Sequence, residues 1–372
     1  MRIIGGKNFT PQGFREGELC TDGQRIAAQS GDGEVYDAKG GSVLPGLTDL
    51  HFHGAMGGDF SDGDPEGLQA MADYELSQGV TQICPAGMTL LEDQLTVICK
   101  MAAQHNRENR PGAELVGVNL EGPFLSYAKK GAQNGDWLHQ PDAAMLRRLM
   151  AASEGLVKLV SVAPEEPGGL DFVREVAGEV GVSVGHTTAD YDTALEAYNL
   201  GARQATHLFN AMPAFTHRAP GVVGAALDSK HCMVELISDG VHIHPAVVRA
   251  VFQMFGADRV ILISDSLRCT GMPDGKYPFG GQEVILRGNR CTLAHEPDTL
   301  AGSVTNLMEC VRKAHSFGVP LADAVTAAAV NPAKALKIDN DFGTLEQGKV
   351  ANFVVLDENL ATKQVFFRGK AI

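Results

Sequence analysis

Eight short apolar runs, separated by longer stretches of helical period, constrain this chain more than any other feature. The runs are "GLTDLHFHG", "VTQICPAG", "LVGVNLEG", "VKLVSVAPE", "VSVGHT", "QATHLFN", "MVELISDG" and "RVILISDS", all between residues 46 and 266. Runs of this length bounded by turn residues read as buried strands. The spacers carry helix signals. "PEGLQAMADYELSQG" has helical period, "DYDTALEAYNLG" has Asp190 placed as an N-cap and Gly201 at its end, and "SVTNLMECVRKAHSFG" runs from Ser303 to Gly318. Strands alternating with helices predict a parallel sheet covered by helices. Eight such units suit a closed (β/α)8 (TIM) barrel over residues 47–338. A doubly wound open sheet is the alternative, but no GxGxxG or GxxxxGK[ST] follows the early strands. The segment from about 271 to 300, with "GKYPFGGQEVILRGNRCTL", reads as a hairpin inserted after the eighth strand.

The two ends read differently. "MRIIGGKNFT", "GFREGELCTDG" and "QRIAAQS" are strand-like pieces punctuated by glycine, and the closing "GTLEQGKVANFVVLDENLATKQVFFRGKAI" is alike. Neither end alone has enough strands for a stable core. The economical solution is one small β-sandwich domain assembled from residues 1–46 and 339–372.

Bulk properties narrow the function. A net charge of −14 provides no basic face for phosphate backbones, which argues against nucleic-acid binding. No run of about 18 apolar residues exists to span a membrane, and "MRIIGGKNFTPQG" lacks the apolar core of a signal peptide. The seven cysteines are odd in number, scattered and never CxxC, which fits buried, inert thiols in a reducing cytoplasm.

Several runs end in residues that a core would reject. The first ends in His51-Phe52-His53, the third in Glu121, the fifth in His186; the sixth carries His207, the seventh leads to Asp239 and His242, and the eighth to Asp265. In a barrel these positions meet at the C-terminal rim, where loops build the site. On a strand, His51 and His53 share one face, roughly 6.6 Å apart, and imidazoles so placed can lean toward one ion at about 2.0–2.1 Å. With Glu121, His186 and His207 they form a nitrogen-and-oxygen ligand set without thiolates. Zn²⁺ is the first expectation, with Fe²⁺, Mn²⁺ or Co²⁺ the others, either as one ion or as two bridged by Glu121. A divalent ion can lower the pKa of its water from about 15.7 to about 7, and Asp265 is placed to shuttle that proton to a leaving amine. Singly, each residue has a bland reading: His186 or His207 as a hydrogen-bonded core histidine, Asp265 as a helix cap, Glu121 as a turn residue before Gly-Pro. Their joint placement at strand ends is what points to a metal centre.

That order, a short HxH after strand one, then glutamate, His, His and Asp at later strand ends, resembles the amidohydrolase superfamily. "LEGPF", "GHTTADY", "THLFNAM", "RAPG", "DGVHIHP" and "SDS" narrow the resemblance to the N-acetylglucosamine-6-phosphate deacetylases, along nearly the whole chain. The resemblance implies roles. Glu121, His186 and His207 match the principal metal ligands, and His51 and His53 match a pair that binds a second metal in some members. Asp265 matches the catalytic acid/base. Asn210 and Ala211 match a substrate-binding pair, and Leu300, Ala301 and Gly302 match a substrate-lining loop. Arg218 and His242 match residues that hold phosphate and sugar, with the arginine given across a homodimer interface. Ala132 and Gln133 occupy a substrate-contact position where some members carry Thr-His; Gln133 can still hydrogen-bond a sugar hydroxyl. Independently, an anionic sugar needs local cations in so acidic a chain. Arg218 offers a bidentate fork, Lys129 and Lys130 add positive potential, and His242 could stabilise charge on the acetyl oxygen.

The implied reaction is removal of the acetyl group of N-acetylglucosamine 6-phosphate, giving glucosamine 6-phosphate and acetate in amino-sugar catabolism. The alternatives are the galactosamine epimer, another metal-dependent amidohydrolase such as a cyclic-amide or dipeptide hydrolase, and a barrel without catalysis. Glu121 stands where a carboxylated lysine would be expected for the second of these. Retention of all the ligands and Asp265 argues against the third.

Overall fold

The structure, a computed structural model, describes residues 1–29 and 33–372. Each of the eight apolar runs contains strand: Leu47–Asp49, Val80–Ile83, Glu114–Leu115 with Val118–Leu120, Val157–Val162, Gly181–Val184, Gln204–Ala205, Met233–Ile237 and Val260–Ile263. They pair in parallel and in chain order. The first three runs share a small sheet, and Ala86–Gly87 opens a second, seven-stranded sheet that continues through Val118–Leu120 to Val260–Ile263. The third run contributes to both sheets and carries the order across. Beyond the eighth strand, Asp265 N–H donates to His51 O at 2.9 Å and His53 N–H to Ser266 O at 2.8 Å. The result is an α/β fold with a parallel half-barrel sheet.

Side chains alternate along these strands because the pleat has period two. Val234, Leu236, Val260 and Leu262 face the helices in the main core, while Leu159, Ile237, Ile261 and Ile263 join Leu50 and Cys84 in an inner cluster. Parallel strands covered on both sides read as near-continuous apolar runs for this reason. Polar inner positions are paired with one another: the Ser161 and Ser183 hydroxyls meet Thr206 Oγ1 at 3.0 and 2.6 Å, and Gln204 Nε2 donates to Glu235.

Asp190 caps the helix Tyr191–Asn199 as its sequence predicts, accepting from Thr193 N–H at 2.9 Å. The helix expected from Ser303 begins later, at Leu307, with Asn306 accepting from Glu309 N–H. Ser303 instead donates its N–H to Asp265 O at 2.8 Å, because the preceding Leu300–Gly302 is a strand. The inserted segment is larger than a hairpin: Gly275–Phe279, Gln282–Arg287, Arg290–Leu293 and Leu300–Gly302 form a four-stranded antiparallel sheet.

Both ends of the chain share one eight-stranded sheet. Ser42–Pro45 lies between Arg2–Thr10 and Phe353–Leu356, followed outward by Thr362–Phe367. Ile3, Leu19, Val43, Phe353 and Phe366 pack its core. Of the piece "QRIAAQS", Arg25–Ala27 is strand, and its last residue lies outside the described residues. Gly46 joins this sheet to the first parallel strand, where a Cβ would fall 2.0 Å from Thr81 Oγ1, so no side chain fits.

Candidate metal centre

His51 and His53 lie just past the end of their strand, which stops at Asp49, rather than within it as the spacing suggests. The backbone there bonds to Asp265 and Ser266 on one side and, through Ala86 N–H to Phe52 O, to the second run on the other. The two rings still face a common point, with centroids 5.5 Å apart. Glu121 follows Val118–Leu120, His186 follows Gly181–Val184, and His207 follows Gln204–Ala205. His186, His207 and Asp265 have φ of 47°, 26° and 51°, in the left-handed region that non-glycine residues seldom adopt. Each strained residue comes two positions after its strand ends, where the chain turns away from the sheet. Such strain is concentrated at functional sites and persists because surrounding contacts over-determine it.

Glu121 is the hub. Its Oε1 lies 2.9 Å from His207 Nε2, 3.1 Å from His186 Nε2 and 3.3 Å from His51 Nε2; its Oε2 lies 3.3 Å from His53 Nε2. The Nε2 atoms of His186 and His207 are 3.0 Å apart. Donor atoms about 2.0–2.1 Å from a tetrahedral ion lie about 3.3–3.4 Å from one another, close to these separations. His51, His53 and Glu121 form one group able to hold a cation, and Glu121, His186 and His207 form another. Three of the four far ring nitrogens are engaged: His51 Nδ1 with Glu235 Oε2 at 2.8 Å, His53 Nδ1 with Ala86 O at 3.1 Å, and His186 Nδ1 with Lys129 O at 2.8 Å, while His207 Nδ1 has no partner among the described residues. Each acceptor requires the proton on Nδ1, which leaves Nε2 a lone pair for a metal. His51 Nε2, fully buried, has no hydrogen-bond partner among the described residues. The residues therefore fit a divalent cation.

Asp265 Oδ1 stands 3.4 Å from His53 Nε2 and 3.8 Å from His51 Nε2. Burial pushes its carboxyl up, but the two imidazoles outweigh burial and hold it below the usual carboxylate range. Glu121 is likewise buried, and His51 and His186 hold it well below that range. Burial alone would lower His53, yet Asp265 and Glu121 raise it to about 10. His51 and His207 are raised by the same cluster of carboxylates against their burial.

A cleft of about 380 Å³ opens over the cluster, lined in part by His53, Glu121, Ala132, Gln133, Asn210, Ala211, His242, Asp265 and Leu300–Gly302. His242 Nδ1 bonds Asp239 Oδ2 at 2.8 Å, leaving Nε2 as its free ring atom. Asn210 Nδ2 is engaged by His207 O at 3.1 Å, which leaves its Oδ1 open. The Gln133 amide is committed at both ends, accepting from Thr89 N–H at 2.8 Å and donating to Glu121 Oε2 at 2.5 Å. It braces Glu121. Arg218 does not line this cleft; it lies on an exposed loop beside Thr188, Asp190 and Pro213. Lys129, Phe279, Asp298 and Thr299 also line the cleft. Sequence reasoning singled out neither Glu235 nor Gln204 as part of the site. The one available signal for Glu235 was a charge inside the apolar run "MVELISDG".

A buried imidazole–carboxylate cluster at strand ends, with a second carboxylate alongside, defines a metal-dependent amide hydrolase. The amidohydrolase family matches residues 42–372. The N-acetylglucosamine-6-phosphate deacetylase of Lysinibacillus sphaericus is 34% identical over 359 residues, 96% of this chain and 92% of that protein. The N-acetylgalactosamine-6-phosphate deacetylase of Escherichia coli O157:H7 is 34% identical over 88% of this chain and 87% of its own. A solved structure of a mutant Mycobacterium smegmatis N-acetyl-D-glucosamine-6-phosphate deacetylase, in complex with N-acetyl-D-glucosamine-6-phosphate, superposes with a TM-score of 0.93 at 32% identity, covering 100% of this chain and 98% of that one. The chain belongs to the amidohydrolase family and, within it, to the N-acetylglucosamine-6-phosphate deacetylases.

Six of the seven cysteines are buried and Cys20 is half-buried; all are free thiols. Burial pushes Cys99 and Cys232 up to about 12, which makes them inert at neutral pH.

Proposed function

We propose that this protein removes the acetyl group from N-acetylglucosamine 6-phosphate, yielding glucosamine 6-phosphate and acetate in amino-sugar catabolism. The observation that carries the reading is the convergence of four imidazole Nε2 atoms on Glu121 with Asp265 beside them. Glu121, His186 and His207 would hold one divalent cation, and His51 and His53, with Glu121 as bridge, a second; the ligand set favours Zn²⁺. When bound, the cation supplies Lewis acidity, making hydroxide available near neutral pH and polarising a carbonyl. Asp265, ionised at rest, accepts the proton of the attacking water. As the water oxygen bonds the acetyl carbon and the C–N bond breaks, Asp265 returns that proton to the sugar nitrogen. His242, oriented by Asp239, faces the developing oxyanion or the sugar, while Asn210, Ala211, Ala132 and Leu300–Gly302 enclose the sugar. Gln133 braces Glu121 beside them. Arg218 would bind the phosphate of a partner subunit's substrate in a homodimer; its exposed position outside its own cleft supports this.

We read the parallel strands as a closed (β/α)8 barrel over 47–338, supported by the bonds from the eighth-strand end to His51 and His53. Residues 1–46 and 339–372 are read as a small β-sandwich domain, supported by the sheet they share. Free buried thiols fit the reducing cytoplasm, and no helix is long and apolar enough to cross a membrane.

The test is acetate release by Zn²⁺-loaded protein from N-acetylglucosamine and N-acetylgalactosamine, each with and without the 6-phosphate. Turnover should favour phosphorylated N-acetylglucosamine. Faster turnover of the galacto epimer would establish the second relative's reaction instead, and equal turnover without phosphate would remove the phosphate site. No release from any of the four would overturn the deacetylase reading.

A further inference from the structure

We propose that Glu235, pinned by Gln204, is a positioning residue that presets both ligand groups of the metal centre through one carboxylate oxygen. Glu235 sits mid-strand in Met233–Ile237, facing inward and 1% exposed. No lysine or arginine pairs with it among the described residues; its partners are the His51 imidazole and neutral hydrogen-bond donors. A buried carboxylate without such compensation is costly, and the bonds it makes show what the cost secures. Oε2 accepts His51 Nδ1–H at 2.8 Å and the backbone N–H of His207 at 3.1 Å. Oε1 accepts from Gln204 Nε2, which fixes the carboxylate's rotation. Leu208 N–H adds a bond to Glu235 O at 2.8 Å.

Two consequences follow. Because a carboxylate only accepts, His51 must carry a proton on Nδ1, so Nε2, which faces Glu121 and Asp265, is the ring atom left for an ion. The bond to His207 N–H holds the chain where φ is 26°, just past the strand end, and so sets the direction of the His207 ring. His51 belongs to one candidate ligand group and His207 to the other. A single oxygen therefore preorders both before any ion arrives. Outer partners of this kind fix tautomer and raise ligand basicity, and their loss weakens metal affinity by about 10–100-fold. The inference rests on the reading that the cluster holds a cation.

Glu235→Gln tests it. With Gln204 Nε2 holding the glutamine carbonyl, the new NH₂ stands where Oε2 accepted from His51 and His207 and can accept from neither, and a turned amide accepts more weakly than a carboxylate, so shape survives while the hold on both histidines is loosened. Zn²⁺ affinity is measured by competition with a chromophoric chelator, and melting temperature is measured on metal-stripped protein. The expected result is at least about tenfold weaker Zn²⁺ binding, with the melting temperature of the stripped protein nearly unchanged. Affinity within about twofold of wild type would overturn the proposal, whether or not the melting temperature falls, because Glu235 would then serve packing alone. Wild-type protein that binds no Zn²⁺ would overturn the metal reading, and this inference with it. If Glu235→Gln does not fold, Gln204→Met frees one carboxylate oxygen and is judged by the same criteria.

Discussion

Asp265 illustrates how much one residue depends on its backbone here. Its φ of 51° turns the side chain toward His53, while its own N–H and C=O bond His51 and Ser303. Asp265→Asn should retain bound metal yet lose about 10²–10⁴-fold in kcat; near-normal turnover, measured as acetate released, would remove Asp265 from proton transfer. The histidines bear on pH. His53 is raised to about 10 in the folded chain, against an ordinary value of about 6.5. The metal-stripped fold binds that proton more tightly than the unfolded chain does. Its stabilising contribution is therefore complete below about pH 6.5 and is lost as pH rises toward 10. Glu121, held well below its ordinary value, contributes in the opposite sense, and that part is lost only in acid. A metal ion takes the place of the imidazole protons. Melting temperatures with and without chelator should thus diverge as pH is raised from about 6.5 to 10. Parallel curves would show that ions and protons do not compete at His53.

Elements were more legible than their ends. Apolar period and punctuation located every strand of the two central parallel sheets, because strands covered on both faces need unbroken apolar runs. Boundaries depended on partners far along the chain. Ser303 is held by Asp265 in a bridge just past a strand, so the helix starts at Leu307 instead, and the insertion reached four strands by recruiting Leu300–Gly302. Arg259 shows the same dependence in the sheet itself. At the start of the eighth strand, its guanidinium donates to the carbonyls of Ala226, Leu227, Ser229 and Cys232, closing the C-terminal end of the helix Gly221–Asp228. A cation there suits the helix dipole, and the group also lies 5.0 Å over the Phe255 ring. Arg259→Met would leave buried carbonyls unpaired and should cost about 2–4 kcal/mol, read as a lower urea midpoint with kcat unchanged. An unaltered midpoint would mean that water replaces the guanidinium.

At the scale of the molecule, the unanswered position is Arg218. Its own cleft contains Lys129 but not Arg218, and the neighbouring Phe215 is 44% exposed. If the arginine serves a partner's substrate, Arg218→Ala and Asp265→Asn should each be nearly inactive alone. Mixed after subunit exchange, they should recover up to about a quarter of wild-type sites, since half the dimers are hybrid and each hybrid has one complete site. Absence of recovery despite proven exchange would mean that Arg218 acts within its own subunit or not at all.

By itself the sequence determined what local pattern can determine: which segments pair as parallel strands, that both ends are β-rich, and which ligand types stand at the strand ends. Period and turn chemistry are properties of neighbours in the chain, so they are readable there. Tertiary structure alone decided the left-handed turns at His186, His207 and Asp265, the engagement of Gln133 by Glu121, the Glu235 bond to two histidines, and the distance of Arg218 from its own cleft. Each is a hydrogen bond, strain or separation between residues remote in sequence, and no local pattern encodes which distant atoms will meet.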